Sequence, residues 1–232
     1  MTLTPLSVGC AAGCRTLGSL KWKSCFWAGL PLLLGVFLQF VHVPVMAESM
    51  AETEGKQEPI SLDGWSSLND TIMGGNSRAG CRVVDDGLLL EGELIERGGG
   101  FVSCRSPRLQ PPLDLSPYSA LQLDLDGEGR TLKIAIGCRD GALGLTELIP
   151  GGLRWVIDVP TNPNGTTQVV VPFADLRPTV RAKPVGLPLR FDRSGITRIQ
   201  VLHSKFGDGG NLNPGFRPGP IRLLIRSIRA LP

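Results

Sequence analysis

From about Ile60 onward, apolar side chains return at every second position, and that period limits what the chain can fold into. Leu88, Leu90, Gly92 and Leu94 share one parity, and Glu91 and Glu93 take the other. Leu121, Leu123 and Leu125 alternate with Gln122, Asp124 and Asp126; Leu132, Ile134, Ile136 and Cys138 follow after the turn Asp126-Gly-Glu-Gly129. The same pattern returns at Trp155, Ile157 and Val159, at Val169, Val171 and Phe173, at Ile199 and Val201, and at Ile221, Leu223 and Ile225. A strand sends successive side chains to opposite faces, so this alternation specifies half-buried antiparallel strands. The 30 glycines and 19 prolines punctuate these runs as turn formers. No segment keeps a helical period beyond two turns. The expectation is an all-β domain of seven or more short strands, a sandwich or jelly roll.

The N-terminal region reads differently. Residues 1–47 contain no Asp or Glu, and Lys21 and Lys23 precede an uncharged apolar run that ends in Val45-Met46-Ala47. A cationic flank, an apolar run and a small-residue ending are the pattern of an export signal. The run is also long enough to anchor in a bilayer, where about 20 apolar residues suffice. Both readings send the following domain across a membrane or tether it there. The expected location is therefore membrane-associated or exported: periplasmic, thylakoid or organellar. Residues 48–59 are acidic and polar without periodicity and read as a linker. The domain proper is assigned to residues 60–232. About 170 residues bury roughly 70% of their unfolded surface, enough for a core without staples.

The net charge of +3 lies wholly in the leader, at Arg15, Lys21 and Lys23. Beyond it the balance is lopsided: residues 48–176 carry 10 basic and 19 acidic side chains, and residues 177–232 carry 11 and 2. First and last strands often adjoin in a sandwich, so mutual neutralisation is expected, and no aromatics interleave the arginines as in single-strand nucleic-acid binders. No nucleic-acid partner is expected.

Three cysteines remain after the leader, Cys81, Cys104 and Cys138. If residues 80–85, 88–95 and 101–105 form one meander, Cys81 and Cys104 stand two strand spacings apart, about 9.5 Å. A bridge needs less than about 7 Å between Cα atoms. Free buried thiols are expected.

Catalytic chemistry finds little support. Outside the leader the single histidine, His203, shares parity with Ile199 and Val201 and reads as a satisfied core residue. No nucleophile elbow, Walker loop or His/Cys/Asp grouping occurs, and Gly127-Glu-Gly129 lacks the helix a dinucleotide loop needs. Asp63 and Asp70 have few acids near them in sequence, too few for a calcium shell. No enzyme activity, cofactor or metal is expected.

Two glycine clusters stand apart from the strands. One lies in Trp65-Ser-Ser-Leu-Asn-Asp-Thr-Ile-Met-Gly-Gly-Asn-Ser77, the other in Gly98-Gly-Gly-Phe-Val-Ser103. Asn69 and Asp70 can turn the chain through side-chain bonds to backbone, and Gly74 and Gly75 can take positive φ. The first cluster either closes one end of the sandwich or forms a partner-binding rim, with Trp65, Asn69, Asp70 and Met73 as contacts.

The string from Trp65 to Ser77, with Asn69, Asp70, Met73, Gly74, Gly75 and Ser77, resembles the signature of the complex I intermediate-associated protein 30 family. Gly99, Gly100, Phe101, Ser103 and Arg105 look like its G-G-F-x-S-x-R strand. Val171 to Thr179, Ile196 to Val201 and Gly219 to Ile225 are similar to later segments in the same order. Leu176, Ala182 and Ile221 depart from the usual residues, and Lys205 to Pro218 looks like an inserted loop. The resemblance implies a galactose-binding-like jelly-roll β-sandwich. It also implies a non-catalytic assembly factor for a membrane redox complex, of the NADH dehydrogenase or photosynthetic type. The partner is then a subunit or intermediate of that complex, with the membrane reached through the N-terminal segment. A carbohydrate-binding module with a sugar ligand is the alternative, and its weakness is the scarcity of exposed aromatics.

Overall fold

The alternating runs pair into two antiparallel sheets packed face to face. The computed structural model describes residues 57–139 and 152–232; the leader and most of the linker lie outside these residues. The first sheet runs in the order β3 (Arg78–Val84), β4 (Gly87–Leu94), β13 (Gly219–Leu231), β6 (Ala120–Asp126) and β9 (Thr167–Pro172). A short β1 (Glu58–Pro59) pairs with the end of β13, Glu58 opposite Ala230. Regular pairing thus starts two residues before Ile60, and the first and last strands are direct neighbours.

The second sheet runs β11 (Lys183–Pro184), β10 (Arg177–Val180), β8 (Leu153–Pro160), β7 (Thr131–Cys138), β12 (Ile196–Ser204), β5 (Phe101–Arg105) and β2 (Ser66–Ser67). The inward parities, led by Leu88, Leu90, Leu121, Leu123, Leu125, Ile134, Ile136, Ile199, Val201, Leu223 and Ile225, make one continuous core. Fully burying each such side chain contributes about 1.5–3 kcal/mol.

The last strand departs from a simple alternation. Its register shifts between Ile225 and Ser227 against β6. A bulge adds one residue and resets the parity, so Ile228 and Ala230 return to the core and the strand continues to Leu231.

The expected meander is corrected. β3 and β4 pair as expected, but the chain leaves their sheet after Leu94 and β5 joins the opposite sheet, beside β12 and β2. Cys81 and Cys104 therefore face each other between the two sheets rather than across a third strand. Their Cα atoms are 5.6 Å apart and they form a disulfide. The coplanar geometry behind the free-thiol expectation does not exist here. Cys138 is buried and takes no part in the bridge.

Candidate functional site

The two glycine clusters meet around one side chain. Asn69 is extended, and residues Asp70–Met73 form a single 3-10 turn capped by Gly74 at φ 87°. That turn points Asp70 inward, where it has no exposed surface. Its Oδ2 accepts from the Ser77 hydroxyl at 2.6 Å, the Gly100 amide at 2.6 Å and the Phe101 amide at 3.3 Å. Its Oδ1 accepts from the Ser77 amide at 2.9 Å. The Ser77 hydroxyl also accepts from the Ile95 amide at 2.9 Å, tying in the end of β4. Burial pushes the Asp70 carboxyl up, but the bonds from the Ser77 hydroxyl and the Gly100, Ser77 and Phe101 amides outweigh it. They hold the carboxyl below the usual aspartate range.

This pin explains two of the motif glycines. A Cβ at Gly75 would lie 2.3 Å from Asp70 Cγ, and one at Gly99 would lie 2.3 Å from Asp70 Oδ2. Only hydrogen at those positions lets the two loops close on the carboxylate. The remaining motif residues support the same corner. Trp65 is buried and donates Nε1–H to Ser61 O at 3.0 Å; Asn69 Nδ2 donates to Ala79 O at 2.9 Å. Of the four candidate contacts, Trp65 and Asp70 face inward, Asn69 is half-buried, and Met73 alone is well exposed, at 71%. Ile72 beside it is 65% exposed. The turn that buries Asp70 thus turns two apolar side chains outward.

Ile72 and Met73 stand at the rim of a groove of about 720 Å³ on the outer face of the second sheet. Its floor follows from the register. The outward parity builds one cross-strand row from Arg177, Val156, Ala135, Gln200 and Arg105. A second row holds Asp158, Lys133, Leu202 and Ser103. A third holds Thr179, Arg154, Gly137 and Arg198. Gly137 has no side chain, and Arg154 Nη1 lies 3.6 Å from where its Cβ would be, with Arg198 Cβ at the same distance.

The groove is basic. Arg105, Lys133, Arg154, Arg181 and Lys205 line it; Lys205 is paired with Glu96 at 2.8 Å, and among the described residues the one lining carboxylate is Asp70, already saturated with donors. Burial pushes the Arg198 guanidinium below its usual range, and Arg105, Arg154 and Arg108 push it the same way. Burial likewise lowers the Lys133 ammonium against the opposing pull of Asp158 and Asp208; its Nζ donates to Phe206 O at 2.6 Å. Arg105 Nε is buried with no hydrogen-bond partner among the described residues.

His203 sits on the inner side of β12 with no exposed surface. Its Nδ1 lies 2.9 Å from Thr131 O, so that nitrogen carries the proton, and Nε2 accepts from the Arg217 amide at 3.3 Å. Burial is the main cause that lowers its pKa to about 4, and the Arg130 and Arg217 charges add to it. A neutral, doubly bonded imidazole is a structural tie between β12, β7 and the loop before β13.

Reasoning from sequence reached the pin's residues but not the groove. Ile72, Arg154 and Arg198 were missed. The available signal was their outward parity, since Arg198 lies between the core positions Ile196 and Ile199 in the basic C-terminal segment.

The sequence model of Complex I intermediate-associated protein 30 matches residues 53–225. No curated protein shows significant sequence similarity to the chain. Among solved structures, the family 11 carbohydrate-binding module of a cellulosomal cellulase of Clostridium thermocellum is similar. Its TM-score is 0.53 at 14% identity, over 76% of this chain and 94% of that one. The Clostridium thermocellum module in complex with a β-1,3-1,4-mixed-linked tetrasaccharide gives 0.52 at 14% identity, over 75% and 95%. At such identity the likeness shows the β-sandwich fold.

Proposed function

The chain belongs to the complex I intermediate-associated protein 30 family, and from that premise we propose that it is a non-catalytic assembly factor. Its client is a subunit or assembly intermediate of a membrane redox complex, of the NADH dehydrogenase or photosynthetic type. The observation that carries this reading is the division of labour in the Trp65–Ser77 motif. Asp70 spends its acceptor capacity on four donors from two loops, which leaves none for acid–base chemistry. What the same turn turns outward is apolar, Ile72 and Met73. A rigid corner that exposes apolar side chains at the edge of a groove suits protein contact.

The setting is proposed to be a membrane surface facing an oxidising compartment. The apolar leader supports delivery across or onto a membrane, with cleavage after Ala47 or retention as an anchor. The Cys81–Cys104 bridge supports it too, because disulfides persist where thiols are not kept reduced. The jelly-roll, galactose-binding-like variant of the sandwich is part of the same reading.

The second reading is sugar binding, favoured by the fold shared with the family 11 modules. Against it stands the groove's lining, in which, among the described residues, Phe101 and Phe206 are the only aromatics and neither Trp nor Tyr takes part. The deciding experiment is affinity capture of the full chain from detergent-solubilised membranes, followed by mass spectrometry. Enrichment of redox-complex subunits is the expected result. A preparation free of membrane proteins that binds glycans on an array would replace this reading with the second.

A further inference from the structure

We propose that β9 is a self-association site. Its open edge pairs antiparallel with β9 of a second copy about a two-fold axis at Val169, which joins the first sheets of two chains into one. This surface is separate from the groove and from the Trp65–Ser77 corner, and the pairing needs no client.

The edges of the two sheets are not alike. An edge strand carries a row of unpaired N–H and C=O groups, and proteins blunt it by brevity, charge or cover. Both ends of the second sheet are brief, since β2 and β11 hold two residues each. At one end of the first sheet, β3 carries Arg78 and Arg82. At the other end β9 is six residues long and reads Thr-Gln-Val-Val-Val-Pro, without a charge. The neutrality continues on both sides: from Val159 to Ala174 the sequence has no Asp, Glu, Lys or Arg. Val170 is 51% exposed. Among the described residues, only β6 pairs with β9.

The register shows which groups face the open side. Ala120 stands opposite Pro172 and Leu121 opposite Val171. Phe173 N–H donates to Ser119 O at 2.9 Å, which continues that register by one pair. Bonded and non-bonded pairs alternate along an antiparallel ladder. Val171, Val169 and Thr167 therefore bond to β6, while Gln168 and Val170 turn their N–H and C=O outward. Pro172 has no N–H to offer and ends the usable edge.

These two residues make the edge self-complementary. A two-fold axis at Val169 sets Gln168 opposite Val170 of the second copy, and Val170 opposite its Gln168. Each pair then exchanges both of its backbone bonds. Such an isologous contact closes after two chains. Like charges opposed across an edge repel, and β9 has none to oppose. Two copies joined at β3 would instead bring arginines together. Neutrality and the two-fold register therefore fit a second copy as the occupant. Val169 meets its own counterpart in a non-bonded pair, with Cα atoms about 4.5 Å apart.

The test uses the full chain in mild detergent, read by sedimentation equilibrium and by oxidative cross-linking. The wild type is expected to dimerise as its concentration rises toward about 1 mM. Val170→Pro removes an outward N–H from each copy and leaves the β6 ladder intact. It is expected to weaken the dimer at least tenfold with little change in melting temperature. If that variant melts early, Val170→Lys keeps the test decisive. It sets like charges on the edge and is expected to weaken the dimer at least tenfold, with partial recovery in about 0.5 M salt. Val169→Cys is expected to cross-link two chains on mild oxidation, because its Cα separation suits a disulfide. Val83→Cys, on β3 at the opposite edge, is expected to give no more cross-linking than the wild type.

A wild type that stays monomeric at about 1 mM would overturn the proposal. So would a dimer that Val170→Pro and Val170→Lys leave unchanged, or cross-linking by Val83→Cys in place of Val169→Cys. A monomeric wild type whose client capture is lost in Val170→Pro would also overturn it and assign the edge to a client strand. Membrane capture separates this from the assembly reading. Clients captured by a chain that never dimerises leave that reading standing and sink this one; an edge-dependent dimer that captures no client does the reverse.

Discussion

The two outer faces of the sandwich place their arginines in different surroundings. On the first sheet, Arg226 of β13 donates to the Asp126 carboxylate at 2.7 Å, and Arg229 pairs with Asp124, which also accepts from Ser227 and Gln168. Glu91 of β4 meets Arg82 at 3.1 Å and Arg222 at 3.9 Å. On the second sheet, Arg177 meets Asp208 at 3.8 Å and Lys205 meets Glu96 at 2.8 Å, while Arg198 lies near Arg105, Arg154 and Arg108 and donates to Ser106 O at 3.0 Å. One face satisfies its charges within the fold, where exposed pairs of this kind contribute about 0–1 kcal/mol each. The other mixes such pairs with arginines packed beside one another, and burial with the neighbouring charges lowers the Arg198 guanidinium. Charge pairing thus dominates the first face, and the second adds like-charge crowding around Arg198.

That division can be tested first at the corner that holds the groove's rim. Asp70→Ala leaves four buried donors, from Ser77, Gly100 and Phe101, without their acceptor. The expected loss is about 4 kcal/mol, read as a lower urea midpoint. A loss below 1 kcal/mol would mean that the rim is not pinned by this carboxylate.

The next effect concerns the link between the faces. Cys81 and Cys104 close a loop with a sequence separation of 23. Replacing both with serine is expected to cost about 3 kcal/mol by the loop-entropy argument. Thiol labelling of the unfolded, unreduced protein should find one reactive cysteine in the domain, Cys138. Three would show that the bridge is absent.

Acid should weaken the second sheet before the first. His203 is buried and its pKa is lowered to about 4, whereas an unfolded histidine titrates near 6.5. The unfolded chain therefore binds the extra proton first. Stability from this group is complete above about pH 6.5 and declines as pH falls toward 4. Between pH 7 and pH 5 the expected loss is about 2 kcal/mol, absent in His203→Phe. The first sheet's Asp124 and Asp126 have carboxyls below the usual range, so their contribution stays complete between pH 7 and 5 and is lost only as pH falls below the unfolded value of about 4. Melting curves across this range separate the two. A flat response from pH 7 to 5 in the wild type would refute the assignment to His203.

The smallest effect is expected on the neutralised face. Asp124→Asn removes one charge from a network shared with Arg229, Ser227 and Gln168. A change of about 1 kcal/mol or less is expected in denaturant unfolding. A loss as large as that of Asp70→Ala would show that this network holds the fold rather than the surface.

Much of this comparison was legible in the chain, and the illegible parts have specific causes. The period of two identified β6, β7, β8 and β12 with their inward residues, because each parity is set locally by the pleat. The expected neutralisation of the basic C-terminal segment holds for Arg222, Arg226 and Arg229, which β13 carries beside the acidic β4 and β6. It does not hold for Arg198, which β12 carries into the other sheet. A charge sum over a segment cannot say which sheet each strand joins. The cysteine inference failed for the same reason. Its distances were sound for a meander, but β5 crosses between sheets, and sheet membership depends on contacts far apart in sequence.

What the sequence determined by itself was whatever repeats or turns locally: strands, parities, the glycine-rich corners, and the motif that marks the family. The tertiary structure decided which distant groups meet. It brought Asp70 under the Gly99–Gly100 turn, Cys81 against Cys104, and Arg154 and Arg198 from two strands beside Gly137. Each of those meetings requires the ends of a long loop to be brought together, a cost that only the whole core's burial offsets. Those meetings therefore come into being only when both sheets close, and they carry the corner, the bridge and the groove.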